Sequence, residues 1–365
     1  MRYRDLSYEE KRKVVSLVFE EAERMKQEHK RINYHELSRI IFMKTGVTLS
    51  HVTIRYWIVG IRRPMGKFKA IRRPPDEDAQ IVRGLILTDI NPEYDLHTIW
   101  LSLGTTKDFF AYSVQRFLTK YGWATAKPSL IGSTPSWWTS ASLDYRSWIH
   151  ELQKPIERLT NEGRMKLLSG VISGDGCITL HSTNQKRIGF SIILCSVQRR
   201  KAEIYHRVLE SMSIPHNLAK TRVRGKQGRI EDLVIRTRSY YEYKVIIERR
   251  DAVKRLLADL QLLQPFREIK RILALRFIEK DMLDRDLVVP VWNYLRVLEK
   301  YSTARSQIRA CELIPDEEFD KKHLDKQRML KQLRRELYEY ADIVRELKPT
   351  ATRIISDVRP SHFPF

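Results

Sequence analysis

LLSGVISGDGCITL, residues 167 to 180, is the stretch from which the rest of the chain is read. Residues 167 to 173 predict an apolar helix in which Ser169 and Gly170 leave one face nearly bare, open to close approach by another backbone. Gly174-Asp175-Gly176 then ends that helix with a carboxylate between two glycines, just before the β-type run 177 to 180. A helix C-terminus already carries partial negative charge, so an acid is a poor local choice there. The carboxylate calls for a role beyond the turn.

Upstream, AQIVRGLILTDINP, residues 79 to 92, again predicts an apolar helix with a glycine, Gly84, and an acid, Asp89, near its end, stopped by Asn91-Pro92. The two helices lead into similar series of elements. After the first come a strand, HTIWLSL, a helix, KDFFAYSVQRFLTKYG, two strands, WATAKPSLIG and SWWTSASLD, and a helix over residues 145 to about 159. After the second come strands at 178 to 181 and 188 to 195, the helix QRRKAEIYHRVLESMSI, strands around 217 to 224 and 231 to 238, and helices from residue 240. The recurrence predicts an α+β chain built on a duplicated αββαββα unit, with the two acids 175 − 89 = 86 residues, or one repeat, apart.

Repeats packed through their bare helix faces are related by a pseudo-two-fold axis, which brings Asp89 beside Asp175. Two carboxylates so placed repel unless positive charge sits with them. Carboxylate, water and phosphate oxygens suit Mg²⁺, and such an ion activates water and stabilises the leaving oxygen of a phosphodiester. A lone Asp175 would be read as capping backbone amides; the partner at Asp89 favours the metal pair. The strands would form two basic, saddle-shaped antiparallel sheets fitted to a major groove. Lys220, Arg222, Arg224, Lys226, Arg229, Arg236 and Arg238 alternate with smaller or apolar residues, which puts one set on a single face for base or phosphate contact; the competing account is a solvated face. Ser196 and Gln198 either position water or cap the following helix. Trp137 and Trp138 read as one core and one surface aromatic.

The formal charge of +22 on 365 residues, with a pI near 9.9, points to a polyanionic partner, nucleic acid ahead of an acidic membrane. Cys177, Cys195 and Cys311 are too few and scattered for a disulfide framework or a zinc site, which suits a reducing compartment. MRYRDLSYEEKRK lacks the apolar core of a signal peptide, and no later run reaches membrane-spanning length. The expectation is a soluble, intracellular, cytoplasmic and nucleoid-associated protein.

Before the repeats, residues 7 to 29 predict a helix opened by a capping box, Ser7 with Glu10. A second helix, 34 to 44, ends before Gly46, and a third begins at an N-cap, Ser50, with Val52, Ile54, Trp57 and Ile58 available to a core. As a helix-turn-helix, this arrangement turns Ser50, His51, Thr53, Arg55 and Tyr56 towards a major groove; the other reading is a small bundle without a DNA role. The next run carries Arg62, Arg63, Lys67, Lys69, Arg72 and Arg73 among prolines and no acid, the character of a linker lying along phosphate. From about residue 283 the chain is helical and charged, with an amphipathic face through Leu324, Leu330, Leu333 and Leu337 for packing on the main body or on a partner helix.

These residues also carry a family resemblance. LSGVISGDG resembles the signature of the LAGLIDADG homing endonucleases, and RGLILTDIN, residues 83 to 91, resembles a degraded first copy in which Ile90 replaces the final glycine. The resemblance covers about residues 76 to 280 and implies that Asp89 and Asp175 are metal-binding catalytic acids using Mg²⁺ or Mn²⁺. LQPFREIKRILALRFIE, residues 263 to 279, resembles the closing segment whose lysine lies near the cleaved phosphate, which implies that role for Lys270. Repeat one offers only Arg158, with Thr160 standing five positions after Pro155, so equal cleavage of both strands is not implied. The N-terminal head is similar to that of archaeal-type LAGLIDADG proteins. The organisation expected is a helix-turn-helix domain (1–62), a basic linker (63–77), repeat one (78–162), repeat two (163–282) and a helical C-terminal extension (283–365). The function implied is that of a site-specific, Mg²⁺-dependent nuclease, a hydrolase cutting double-stranded DNA as a pseudo-symmetric monomer. The alternative is a DNA-binding transcription regulator that keeps the fold without cleavage; an RNA-binding maturase is a third.

Overall fold

The computed structural model describes residues 2–29, 31–58, 76–94, 98–223, 227–230, 233–236 and 239–358. Two compact units divide the chain, Met1–Lys69 and Ala70–Phe365.

In the first unit, α1 (Tyr8–His29) opens as the Ser7 and Glu10 spacing predicts. The Ser7 amide donates to the Glu10 carboxylate at 2.7 Å and the Glu10 amide to the Ser7 hydroxyl at 3.3 Å, satisfying two amides that a helix start leaves unpaired. α2 (Tyr34–Thr45) ends at Gly46, whose φ of 68° closes the turn into α3 (His51–Ile58). Val14, Val18, Leu37, Ile41, Ile54 and Trp57 form the buried centre of the bundle. Val52, expected in that core, is 41% exposed, because Ile54 and Trp57 already define the inward face of so short a helix.

The second unit contains the duplication. Repeat one runs α4 (Asp76–Ile86), β1 (Ile90–Tyr94), β2 (Thr98–Thr105), α5 (Asp108–Thr119), β3 (Trp123–Ile131), β4 (Thr134–Asp144) and α6 (Tyr145–Gln153). Repeat two runs α7 (Asn161–Gly174), β5 (Cys177–Ser182), β6 (Ile188–Ser196), α8 (Arg199–Ser211), β7 (Asn217–Val223), a hairpin of β8 (Gln227–Ile230) and β9 (Leu233–Arg236), β10 (Tyr240–Ile247), α9 (Arg250–Asp259) and α10 (Pro265–Glu279). The sheets have matching antiparallel orders, β1-β2-β4-β3 and β5-β6-β10-β7. With α4 and α7 paired, this is the duplicated αββαββα arrangement that the sequence predicts.

The structure corrects three expectations. Residues 240 to 247, expected to be helical, form β10, which pairs with both β6 and β7. Aromatic and β-branched residues with alternating burial, ending in buried Val245 and Ile247, suit a central strand, and the β8–β9 hairpin separates β10 in sequence from its neighbour β7. β1 passes through Asn91-Pro92, expected as a stop; a proline is tolerated on the edge strand this is. α6 ends at Gln153 and not near residue 159, since Pro155 turns the preceding residue out of helical geometry.

Each sheet buries one face under its helices. Ile99, Leu101, Leu103, Ala141 and Leu143 meet Phe110, Val114 and Phe117 of α5. Ile192, Leu194, Val245 and Ile247 meet Tyr205, Val208 and Leu209 of α8. The C-terminal extension, α11 (Arg285–Leu313), α12 (Asp316–Asp320) and α13 (Lys326–Val358), packs onto this body. α11 leaves the core of repeat two at Val288, Val291, Trp292 and Leu295 and reaches repeat one, where Ala310 lies against Trp137 and Ala111. Among the described residues no helix is long and apolar enough to cross a membrane.

Candidate functional site

α4 and α7 meet at their glycines. A Cβ on Gly84 would lie 2.8 Å from Gly170 Cα and 2.7 Å from Val171 N. One on Gly170 would lie 2.9 Å from Gly84 Cα and closer still to the Ile81 carbonyl. The helices therefore touch backbone to backbone, and only hydrogen side chains permit it. The nearly bare face expected at Ser169 and Gly170 is shared between two uses. Gly170 faces α4, whereas the Ser169 and Ser173 hydroxyls accept from the amides of Gln261 (3.2 Å) and Leu263 (2.8 Å), fastening the segment that leads into α10.

That packing carries the two helix ends, and with them Asp89 and Asp175, to one place. Both residues are solvent-exposed although their supports are buried. Crowding by surrounding protein, then the Asp175 charge, pushes the Asp89 carboxyl up from 3.8 to about 6, against Arg267, Lys107 and Lys201. Crowding also raises Asp175, with Arg267 and Lys201 opposing. Ile90, where repeat two has Gly176, is a buried core residue at the start of β1, so the turn after Asp89 is held by strand pairing.

Arg267, on the first turn of α10, is a site residue that the sequence does not single out. Its guanidinium donates to the carbonyls of Ile172 (3.0 Å), Ser173 and Gly174 at the end of α7. It caps those carbonyls and places a positive charge beside both acids. The unfavourable position of an acid at that helix end is thereby answered within the chain. The available signal is the place of Arg267 in the proline-led segment beginning at Leu263, where the family resemblance draws attention to the lysine alone.

Lys270 does not stand free beside the acids. Its ammonium bonds Glu299 of α11 at 3.0 Å, and Lys107, the residue before α5, bonds the same carboxylate at 2.6 Å. Arg158 is exposed on the short turn after α6, and Thr160 caps α7 by accepting from the Gly163 amide at 2.9 Å. The repeat-one cation near the acids is Lys107, from the β2–α5 junction, matching Lys201 after the β6–α8 junction. The Ser196 hydroxyl accepts from the Gln198 amide at 3.0 Å, the capping geometry of a strand-to-helix turn.

The remaining nucleic-acid candidates separate. Lys220 and Arg222 share a strand face, as alternation predicts, and both are exposed. They pair with Tyr243 and Tyr241, in register with Leu218 opposite buried Val245, and so lie on the helix-covered side of the sheet. On the opposite face of that sheet the described strands offer one cation, Lys244, bonded to Glu242 at 2.9 Å. Strands β1 to β4 likewise present one, Lys127, in register with Trp138, while Trp137 faces the core. The saddle faces are thus less basic than expected among the described residues. Arg229 and Arg236 lie on β8 and β9; Arg224, Lys226 and Arg238, and Arg62, Arg63, Lys67, Lys69, Arg72 and Arg73, fall outside the described residues. In the first unit Ser50 and Thr53 cap α3, with the Thr53 amide donating to the Ser50 hydroxyl at 3.1 Å. His51 stacks on His35 at 3.7 Å, and Arg55 is exposed.

Among the described residues no three His, Cys, Asp or Glu side chains gather as a metal cage. Two exposed carboxylates, both raised by crowding and one of them also by its partner's charge, are nonetheless the oxygen donors a hard divalent ion takes when water and substrate complete its shell. The three cysteines are free thiols.

The acid pair gives a pH prediction. Between about 4 and about 6 folded Asp89 keeps a proton that the unfolded chain has released, so its contribution to stability is present below the unfolded value and is lost as pH rises towards 6. Asp89→Asn removes this loss. Melting in EDTA should show the variant more stable above pH 6 by about 1 kcal/mol, after allowing for solvent screening at an exposed group, with the gain vanishing near pH 4. Magnesium should stabilise the wild type at the higher pH and not at the lower. Parallel melting curves for the two proteins at every pH would rule out the coupling.

No family model matches the chain, and no curated protein matches it. Solved structures similar in fold include mesophilic variants of the homing endonuclease I-DmoI, at 11% identity and a TM-score of 0.32 over 52% of this chain and 98% of that one. The N-terminal LAGLIDADG domain of DUF199/WhiA aligns at 10% identity and a TM-score of 0.33, over 53% of this chain and 87% of that one. A point mutant of I-SmaMI aligns at 8% identity and a TM-score of 0.29, over 56% of this chain and 98% of that one.

Proposed function

We propose that this protein binds double-stranded DNA and cleaves it at a specific site with a divalent ion, Mg²⁺ or Mn²⁺, held between Asp89 and Asp175. The observation that carries the reading is the acid pair: two exposed carboxylates from different repeats, brought together by a backbone-tight helix contact and held at raised pKa. A bound ion would supply Lewis-acid stabilisation and a reactive water. The chain's part is to hold both acids at one point on rigid helix ends, with Arg267 and Lys201 fixing the charge around them. I-DmoI has been seen in complex with DNA and Mn, which is a property of that protein. The α1–α3 bundle is assigned to DNA as a second contact, with Arg55 exposed on α3. The protein acts as a monomer on this reading, since both acids come from one chain.

A second reading, a DNA-binding regulator without cleavage, is favoured by one specific observation: Lys270 is bonded to Glu299 and not left to a phosphate. Incubation with a randomised duplex library and Mg²⁺ or Mn²⁺ separates the two. Cleaved products of one sequence class, absent with Asp89→Asn and Asp175→Asn, are expected. Enrichment of a bound sequence without nicking would leave the regulator.

A further inference from the structure

Glu299 belongs to the C-terminal extension, yet three donors from the two repeats and their closing helix converge on it. Lys107 donates at 2.6 Å, Lys270 at 3.0 Å and the Gln264 side-chain amide at 3.1 Å. Gln264 is 1% exposed, and its carbonyl oxygen is fixed by accepting from the Arg267 amide. Lys107 and Gln264 are the N-caps of α5 and α10, so the two helix starts fix the backbone from which these donors reach the carboxylate. Burial pushes Glu299 up, but the charges and hydrogen bonds of Lys270 and Lys107 outweigh it and bring it down to about 2. Two ammonium groups and an oriented amide make a pocket for a tetrahedral oxyanion as readily as for a carboxylate. The same lysine side lies next to the acid pair, for Lys107 acts on Asp89 and Arg267 acts on Asp89, Asp175 and Glu299 together.

We infer that this pocket is a phosphate site and that Glu299 is its built-in occupant, a carboxylate on α11 that keeps Lys107 and Lys270 from the DNA backbone until it is displaced. The inference rests on the proposed nucleic-acid function for its biological ligand, and on the pocket alone for its chemistry. α11 is fixed on both sides of Glu299, by Leu295 in the core of repeat two and by Ser306, whose hydroxyl accepts from the Asp108 amide at 2.6 Å. The helix therefore stays, and displacement of Glu299 means that the ammonium groups of Lys107 and Lys270, 27% and 15% exposed on their side chains, exchange its carboxylate for a phosphate. The C-terminal extension thus acts as a brake as well as packing material.

The test uses the full chain with Glu299→Gln, and with Glu312→Gln as a control of equal charge change; Glu312 lies on the same helix, bonded to Arg334 at 3.0 Å on the surface. Binding to a random-sequence duplex is measured against salt. Each lysine released to a phosphate adds about 0.9 to the slope of log K against log salt, so Glu299→Gln should steepen it by about 2 and Glu312→Gln should not. Adding Lys107→Met and Lys270→Met to Glu299→Gln should abolish the gain. Inorganic pyrophosphate, read by thermal shift, probes the pocket without DNA: Glu299→Gln should gain a pyrophosphate-dependent stabilisation that the wild type lacks. No duplex binding by any variant would defeat the DNA reading while the pyrophosphate arm still judges the pocket. Equal slopes and equal pyrophosphate responses for wild type and Glu299→Gln would overturn the inference. If Glu299→Gln does not fold, the wild type carrying Lys107→Met and Lys270→Met decides: an unchanged slope supports the brake, and a slope shallower by about 2 overturns it.

Discussion

Gly170→Ala is expected to lower the melting temperature by roughly 4–8 °C, and Gly170→Leu to prevent the larger unit from accumulating in folded form. An alanine in a helix interior normally gains about 1 kcal/mol over glycine. Here its methyl would enter the Ile81 carbonyl and lie 2.9 Å from Gly84 Cα, so that two backbones have to separate. Overpacking of that kind costs about 3 kcal/mol when no flexible side chain can yield, and about 2–4 °C of melting temperature accompanies each kcal/mol in a unit of this size. Gly163, on the same α7, is the control. A methyl there would meet the Thr160 hydroxyl at 3.3 Å, so Gly163→Ala should be neutral or slightly stabilising. Equal melting temperatures for the wild type and Gly170→Ala would mean that α4 and α7 do not touch as described.

The largest effect on activity is expected at Asp175. Asp175→Asn preserves shape while removing one of two charges, and loss of metal-assisted cleavage by about a thousand-fold, ~4 kcal/mol of barrier, should follow. Stability should not fall with it, because crowding raises the Asp175 carboxyl and the neutral amide relieves that cost. The pairing of outcomes is the informative part. A variant that is inactive yet melts no lower than wild type at pH 7.5 places Asp175 in the chemistry; residual cleavage within tenfold of wild type would remove it from that role. The same substitution should leave duplex affinity in EDTA unreduced, since it takes negative charge away from a polyanion site.

Much of the repeat architecture is legible in the sequence because it is written in period and punctuation. Gly84 and Gly170 in apolar helices, each with an acid and then strands after it, announce the duplication and the meeting of Asp89 with Asp175. What escapes depends on partners distant in sequence. β10 carries the aromatic and β-branched residues of a strand, but its neighbour β7 lies across a hairpin, so the pairing with β6 and β7 that makes it central is not visible locally. Arg267 is inconspicuous because its function is to reach the end of α7 across a fold made by Ser169 and Ser173, and no local pattern marks that reach. Lys270 is placed near the acids by resemblance alone, and its bond to Glu299 comes from a helix whose sequence shows only charge and amphipathicity. Lys220 and Arg222 share a face as alternation predicts, but period two is silent on which face the helices cover.

The contact between Gly174 and Thr88 also bears on which halves can marry. A Cβ on Gly174 would enter the Thr88 side chain and lie 3.2 Å from Asp89 Oδ2, so the threonine in the turn after α4 fills the hollow left by the glycine at the end of α7. Were α7 to pair with a second α7, two hollows would oppose each other; were α4 to pair with a second α4, two threonines would compete for one space. The two faces thus differ as key and keyhole. A chain carrying both is steered towards joining unlike halves, and away from pairing either helix with the same helix of another copy.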